Sequence, residues 1–431
     1  MHHGATYRKP CLNAFFLGPP AQIYRTFMAK NPHLSRELGI FQVTIAGVGI
    51  ILGAGIYALM GVAAGSAGNA TWLAFLISGI VALFTGLSYA ELSSMFKGNA
   101  GEYDYIKAGL NRHFALFIGL SMIAAGFISS ATVALGFAGY FVQLLSMPMV
   151  IAAIILIIAM SLINFIGIKE TSWFNTIATL IEFGGLVLIV FLGLQHMGSV
   201  DILEMPEGFT GVFSAAALVF FAFVGFEGIV KFREETKDPE KTIPRALIYA
   251  VIITAILYVF VAIAAVSIIG WEELHASKAP LATVAAAALG NNAFLLLGII
   301  ALFSTANTAL IFMVAASRML YGMAKQQSLP RLFSRVHSKT RTPWVAIFFV
   351  MVLSIAFSFI NDIGTVANLT NLFLFITFAA VNVSLIALRY KKPDMKRPFK
   401  CPVNVGSFSV IALLGFLSSI FMLGFVVLNL V

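Results

Sequence analysis

The first long apolar segment of the chain contains Ile45-Ala46-Gly47-Val48-Gly49-Ile50-Ile51-Leu52-Gly53-Ala54-Gly55-Ile56-Tyr57, with four glycines within nine residues. Each glycine inside a helix costs roughly 1 kcal/mol relative to alanine. Because Gly53-Ala54-Gly55 places this weakness at the middle of the segment, we expect a helix to break there. Interrupted backbone at membrane depth is tolerated only where it is buried in protein or lines a polar cavity. We therefore expect a binding site at this break.

The composition is that of a polytopic membrane protein. The 431 residues are 60% hydrophobic and 10% charged, and the mean hydropathy is +0.96, which excludes a soluble domain of this size. The two cysteines, Cys11 and Cys401, lie in charged flanking segments, so no disulfide framework is expected. The seven histidines have no metal-ligand spacing, and we expect neither a metal nor a catalytic site.

Runs of about 18 or more apolar residues predict membrane-spanning helices. We expect about eleven of them, with bounds near 40–64, 71–95, 114–145, 149–167, 173–195, 212–230, 247–270, 293–323, 343–360, 363–388 and 407–430.

The lysines and arginines predict the orientation of the chain. With a cytoplasmic N-terminal segment, 26 of the 27 Lys and Arg residues fall on the cytoplasmic side, and only Lys278 falls outside. The net charge of +9 is thus explained by topology, and nucleic acid is not an expected partner. We expect a multi-pass protein of the plasma membrane, with the lipid bilayer as its surroundings.

A second irregular stretch, Phe220-Phe221-Ala222-Phe223-Val224-Gly225-Phe226-Glu227-Gly228, lies five spans after the first. An odd spacing inverts the second unit relative to the first, so it predicts an inverted repeat whose leading helices are both discontinuous. We expect residues 1–39 to be a cytoplasmic segment, 40–195 the first repeat, 212–388 the second, and 407–431 a peripheral C-terminal helix. The fold class is an all-α polytopic membrane protein with a 5+5 inverted-repeat core.

Several stretches, by their order and spacing, resemble the amino acid, polyamine and organocation permeases. The likeness extends over nearly the whole chain and is carried by Gly49–Tyr57, Tyr89–Leu92, Gly101–Tyr105, Phe221–Glu227, Glu234–Ala246, Ser317–Tyr321, Thr342–Trp344, Arg389–Asp394 and Arg397–Phe399.

This resemblance implies a ten-helix inverted-repeat core and proton-coupled or exchange transport of amino acids or related amines. The family usually has twelve spans, whereas the chain stops at Val431, at the end of an eleventh. Because the twelfth span lies outside the core, we expect transport to be retained.

An amino acid that leaves water loses the hydration of its carboxylate and its ammonium. The free N–H and carbonyl groups of unwound helix ends can replace it. Free N–H groups at Gly53, Ala54 and Gly55 would bind the substrate carboxylate, with help from the helix dipole. Carbonyl groups left unpaired where the inner half of the broken first helix ends, at Ile50 and Ile51, would bind the substrate ammonium. Carbonyl groups of the second break, at Phe221 and Ala222, would bind it as well. The alternative is that the glycines only allow close helix packing, which we expect at least for Gly47 and Gly49.

Two phenylalanines at the second break are candidate gates. Phe223 would close over the substrate, with Phe226 beside it. The alternative for both, in a chain with 40 phenylalanines, is ordinary packing.

Glu182, within the fifth span, is the most unusual ionisable residue. An intramembrane carboxylate is costly and is by default a functional hypothesis, here a proton acceptor linked to substrate occupancy. The resemblance implies a lysine near this place in proton-coupled members, so the carboxylate departs from their pattern. The alternative is a protonated carboxyl group that hydrogen-bonds a neighbouring helix.

Three hydroxyl side chains midway along the eighth span, Ser304, Thr305 and Thr308, form a candidate cation site. The alternative is that they satisfy backbone carbonyl groups of their own helix. We expect a proton as the coupling ion, with sodium as the alternative, and no other cofactor.

Together these features predict a proton-coupled, secondary-active transporter of amino acids or related amines that works by alternating access. An obligate exchanger and a membrane nutrient sensor that binds without transporting remain open. Catalysis finds no support, since no nucleophile stands at a recognisable spacing from a base.

Overall fold

The computed structural model describes residues 38–96, 101–167 and 171–431, with backbone only for 171–178, 231 and 234. Most of the residues in these ranges are helical, and their strands form one short hairpin. The helices are α1 (Ile40–Ile51), α2 (Ala54–Ala67), α3 (Thr71–Met95), α4 (Glu102–Gly109), α5 (Arg112–Phe141), α6 (Met149–Ile166), α7 (Thr171–Gly193), α8 (Gly208–Val219), α9 (Pro239–Ala276), α10 (Pro280–Leu289), α11 (Asn291–Lys325), α12 (Trp344–Ser358), α13 (Ile363–Lys391) and α14 (Val410–Leu430).

The apolar helices confirm the predicted fold class. Within the described ranges, nine segments have at least 18 residues and are apolar enough to cross a bilayer, and α1, α10 and α12 are shorter apolar helices. The protein is therefore an all-α polytopic membrane protein. The number of crossings and the inverted repeat stay predictions.

The first predicted interruption is present at Gly53. Helix α1 ends at Ile51, Leu52 and Gly53 are extended, and α2 begins at Ala54. Helix α2 is almost completely buried and contacts α5, α8, α9 and α11. The break thus lies at the centre of the molecule, where the polar backbone is shielded from lipid.

The second interruption follows α8 and is longer. The chain runs through a 3-10 segment at Phe220–Phe223, an extended Val224, and a second 3-10 segment at Phe226–Glu234. Gly225 has a φ of +117°, and a Cβ added to it would lie 2.8 Å from the Ile50 carbonyl oxygen. Only glycine fits this position, because the two interrupted helices touch there.

The segment between α13 and α14 is fastened to the end of α3. Its hairpin pairs β1 (Asn404–Val405) with β2 (Phe408–Ser409) in antiparallel register. Glu91, fully buried at the end of α3, accepts hydrogen bonds from Arg389 Nε at 2.9 Å and from the Cys401 backbone N–H at 2.7 Å. This ion pair positions α14 beside α3 and α13, with which it packs.

Candidate substrate site between the interrupted helices

A small cavity lies where the two interruptions meet. Its volume, taken as the space that the centres of water molecules can occupy, is about 40 Å³, which is room for about three waters. All seven residues predicted to bind the substrate line it: Ile50, Ile51, Gly53, Ala54, Gly55, Phe221 and Ala222. The seven predicted residues therefore lie together in the structure. Which of their atoms bind the carboxylate and which bind the ammonium stays a prediction.

Close approach of backbones explains Gly55. A Cβ on Gly55 would lie 2.5 Å from the Ala222 Cα atom, far inside van der Waals contact. Gly47 and Gly49 also pack tightly: a Cβ would meet Ile229 at 2.6 Å and Thr179 at 2.5 Å, respectively. Glycine therefore sets the distance between the broken helices as well as exposing their backbone.

A side chain of α11 caps the start of α2. Because its N-cap residue is Gly53, α2 has no side-chain cap of its own. The Ala54 N–H instead donates to Thr308 Oγ1 at 3.1 Å, and the Thr308 hydroxyl donates to the Ser304 carbonyl oxygen at 2.9 Å. One of the three N–H groups predicted for the carboxylate is thus bound to a protein hydroxyl in this conformation.

A tyrosine of α9 joins the two interruptions. The Tyr258 hydroxyl lies 3.1 Å from the carbonyl oxygens of both Ile51 and Ala222. These are two of the four residues predicted to receive the ammonium. Because the phenol has a single proton to give, it hydrogen-bonds one of these two oxygens at a time.

The predicted gate residues lie outside the cavity lining. Phe223 is fully buried and packs edge-on against Tyr258, with ring centroids 5.3 Å apart, and Phe226 packs between Tyr89 and Phe378. The aromatic rings that line the cavity are Phe221 and Phe312, with centroids 6.0 Å apart. The gate role of Phe223 and Phe226 stays a prediction, and Phe312 is a residue that sequence reasoning missed.

Glu182 is 1% exposed and lies on α7 behind the first break. The Tyr57 hydroxyl donates to its backbone carbonyl at 2.9 Å, and its carboxyl group interacts electrostatically with the hydroxyls of Tyr57 and Tyr258. Among the described side chains, neither carboxyl oxygen has a hydrogen-bond partner. The carboxyl group is therefore desolvated next to the substrate cavity, without lining it.

The three hydroxyls of the candidate cation site have different surroundings. Thr305 donates to the Ala301 carbonyl at 2.7 Å, and Thr308 is engaged with Ala54 and Ser304. The buried Ser304 hydroxyl has no hydrogen-bond partner in the described part of the chain and faces the Glu182 carboxyl group. The structure thus places Ser304 beside Glu182, whereas the hydroxyls of Thr305 and Thr308 hydrogen-bond backbone groups.

A wide vestibule adjoins the cavity on the face that carries the basic segments. Its volume is about 760 Å³, and Val224, Ile311 and Phe312 line both spaces. Charged side chains stand on its walls, namely Glu102, Glu227 and Arg318. The substrate cavity itself has no charged side chain in its lining.

The opposite face is closed over the cavity by direct contacts. The Tyr140 hydroxyl of α5 donates to the Tyr57 carbonyl of α2 at 2.9 Å. A Cβ on Gly139 would lie 2.6 Å from the Lys278 carbonyl oxygen. Helix α5 is therefore in direct contact with α2 and with the segment between α9 and α10 on this face.

The residues that sequence reasoning missed at the site are Tyr258, Asn371 and Phe312. Tyr258 left a weak signal, because it and Thr254 are the two hydroxyl side chains in the apolar run Ile252–Val266. Asn371, whose side chain contacts the second interruption, lies in the tenth predicted span. Its polarity there was the signal.

Comparison with known proteins places the chain in a family. The model of the family described as amino acid permease matches residues 38–431. A branched-chain amino acid permease of Bacillus subtilis is 31% identical over 391 residues, which cover 86% of this chain and 84% of that protein.

Two further relatives are named for other cargo. A methylthioribose transporter of Bacillus subtilis is 27% identical, over 87% of this chain and 86% of its own length. The vacuolar cationic amino acid transporter 4 of Arabidopsis thaliana is 27% identical, over 86% of this chain and 67% of its own length. Family and relatives indicate a transporter rather than an enzyme, with a small-molecule amino acid as substrate. With two interrupted helices meeting at a buried cavity and a family match over nearly its whole length, the chain belongs to the amino acid permease family.

Proposed function

We propose that this protein is a secondary-active transporter of neutral amino acids with apolar side chains, coupled to protons and working by alternating access in the plasma membrane. The observation that carries the proposal is the cavity at the two interruptions. It offers backbone N–H and carbonyl groups for the zwitterionic part of an amino acid, and no charged side chain for a charged substrate side chain.

The lining supports an aliphatic substrate. Beyond the backbone groups, Phe221, Val224, Ile311 and Phe312 supply apolar surface, while Asn307 and Thr308 are the polar side chains. The printed name of the Bacillus subtilis branched-chain amino acid permease points the same way. An amino acid needs more than the present 40 Å³, so Ile311 and Phe312 would move toward the vestibule on binding.

The open vestibule supports alternating access. By the distribution of basic residues the vestibule faces the cytoplasm, so the described conformation is inward-facing. The contacts of Tyr140 with Tyr57 and of Gly139 with Lys278 would then be the closed outer gate.

Glu182 supports proton coupling. Its carboxyl group is buried beside Tyr57, Tyr258 and Ser304, and among the described side chains neither of its oxygens accepts a hydrogen bond that would stabilise the ionised form. Protonation of Glu182 would remove its negative charge, which lies on the side of the first interruption where the last carbonyl oxygens of α1 are found. Protonation and substrate occupancy would thereby be linked.

The proposal is tested by leucine uptake into proteoliposomes with an imposed inward proton gradient. We expect the wild type to accumulate radiolabelled leucine, and Glu182→Gln to bind it but to lose gradient-driven accumulation while retaining leucine counterflow. Glu272→Gln, an exposed carboxylate, is the matched control and should behave as the wild type.

Other outcomes select the alternatives. Unchanged pH dependence in Glu182→Gln would rule out a coupling role. Uptake that requires amino acid inside the vesicle would make the protein an exchanger, and binding without flux would make it a sensor and overturn the transport proposal.

A further inference from the structure

Helix α8 ends without a local reason. The residues that follow its last residue, Val219, are Phe220-Phe221-Ala222-Phe223, and they include neither glycine nor proline. Gly225 shapes the later part of the interruption, but it lies six residues beyond the end of α8. Helix propensity therefore does not explain why the α-helix changes to 3-10 geometry at Phe220.

A side chain from α13 reaches the end of α8. Asn371 is fully buried, and its Nδ2 group donates to the carbonyl oxygens of Ala217 at 2.8 Å and Leu218 at 2.9 Å. Both acceptors belong to the last turn of α8, where carbonyl groups lose their intrahelical partners. One amide thus caps two neighbouring carbonyl groups across 154 and 153 residues of sequence.

These two carbonyl groups decide whether the helix continues. In an uninterrupted α-helix they would accept from the N–H groups four residues later, those of Phe221 and Ala222. A side chain that inserts into this ladder is a recognised cause of helix interruption. With the Asn371 amide as donor, the chain leaves α geometry at no cost in unsatisfied carbonyl groups.

We propose that Asn371 is the positioning residue that ends α8 and thereby places Phe221 and Ala222 at the substrate cavity. Its amide stabilises the interrupted form of the helix over the continuous one. This inference rests on the proposed function only for the consequence that a substrate ammonium binds there. The placement of the interruption itself does not depend on which substrate is carried.

The orientation of the Asn371 amide follows from its partners. Both partners are carbonyl oxygens, so the NH₂ group must face them and Oδ1 must face away. Within the described residues Oδ1 has no hydrogen-bond partner.

The test compares Asn371→Leu and Asn371→Gln with a matched control on the same helix. Leucine is close to asparagine in size and has no donor, whereas glutamine keeps the amide on a longer side chain. The control is Asn382→Leu. Asn382 is also fully buried on α13, but its amide donates to Thr85 and to the Phe378 carbonyl, away from α8.

The first readout is hydrogen exchange of the peptides that span 217–224, measured by mass spectrometry on purified protein. In Asn371→Leu we expect exchange there to slow by about 5- to 100-fold, because the N–H groups of Phe221 and Ala222 exchange the poorer hydrogen bonds of 3-10 geometry for α-helical ones. Asn371→Gln should fall between this variant and the wild type. Asn382→Leu should exchange in this segment as the wild type does.

The second readout is the affinity for radiolabelled leucine. We expect it to fall by about 5- to 100-fold in Asn371→Leu and to stay near wild type in Asn382→Leu. Unchanged or faster exchange over 217–224 in Asn371→Leu overturns the inference whatever the affinity. In the wild type itself, Phe221 and Ala222 amides that exchange as slowly as those within α8 would overturn it as well. A wild type that does not bind leucine would refute the proposed substrate, while the exchange measurement still decides the role of Asn371.

Discussion

The Thr308 hydroxyl on α11 accepts the backbone N–H of Ala54 at 3.1 Å, across 254 residues of sequence. It therefore does for α2 what an N-cap side chain does for an ordinary helix, since Gly53 has no side chain to do so. The same N–H lies in the substrate cavity, so the cap and a substrate carboxylate would share one donor.

Replacement of Thr308 by valine should weaken the start of α2. An N-cap is worth about 0.5–2 kcal/mol, so we expect a lower melting temperature and a raised KM for leucine. Thr308→Ser keeps the hydroxyl and should stay near the wild type. The matched control is Thr305→Val, whose hydroxyl bonds only within α11. If both valine variants raise KM equally, the bond to Ala54 has no special role.

Tyr258→Phe should destabilise the unliganded protein more than the protein with leucine bound. Loss of the phenol removes the one proton that the hydroxyl offers to the carbonyl oxygens of Ile51 and Ala222, at a cost of about 1–3 kcal/mol. A bound ammonium would satisfy them again. We therefore expect a lower melting temperature without substrate, and a larger stabilisation by leucine than in the wild type.

The control for this variant is Tyr249→Phe, because Tyr249 lies on the same helix and is 49% exposed. It should leave both melting temperatures unchanged. Equal stabilisation by leucine in Tyr258→Phe and the wild type would show that substrate does not reach these two oxygens.

Sequence reasoning found the features that depend on local composition. Hydropathy located the apolar helices, and glycine content located the interruption at Gly53. Gly225 likewise marked the second interruption, where it adopts a positive φ against Ile50. In each case a residue acts on its own backbone, so its effect is visible in a short window of sequence.

The partners of the interrupted backbone were out of reach for the same reason. Thr308, Tyr258 and Asn371 meet their acceptors or donors across 254, 207 and 154 residues. No periodic pattern shows which polar side chain on a distant helix faces a break. Thr308 was singled out for a cation site, which stays a prediction, whereas its bonds to Ala54 and Ser304 were not foreseen.

Gly55→Ala should block the approach of the two interrupted helices. The new methyl group would lie 2.5 Å from the Ala222 Cα atom and 2.8 Å from its Cβ. Backbone cannot yield as a flexible side chain does, so overpacking should cost about 1–3 kcal/mol and abolish leucine transport. Gly298→Ala, with nothing within 4 Å of the added Cβ, is the control and should transport normally. Normal transport by Gly55→Ala would mean that the helices are farther apart during the working cycle.

Glu91→Gln should destabilise the protein far more than removal of an exposed ion pair. Glu91 and Arg389 are both buried, with side chains 0% and 2% exposed. Loss of the carboxylate leaves the buried Arg389 guanidinium, and that of Arg397 3.6 Å from Glu91, without their counter-charge, at a cost of about 3–5 kcal/mol. Glu240→Gln is the matched control, because its carboxylate is 46% exposed and lies 3.8 Å from Arg233, a geometry worth about 0–1 kcal/mol. The double variant Glu91→Met with Arg389→Met removes both charges and should be more stable than Glu91→Gln alone. If thermal unfolding shows the double variant to be the less stable, the pair itself rather than its uncompensated half fastens the hairpin segment to α3.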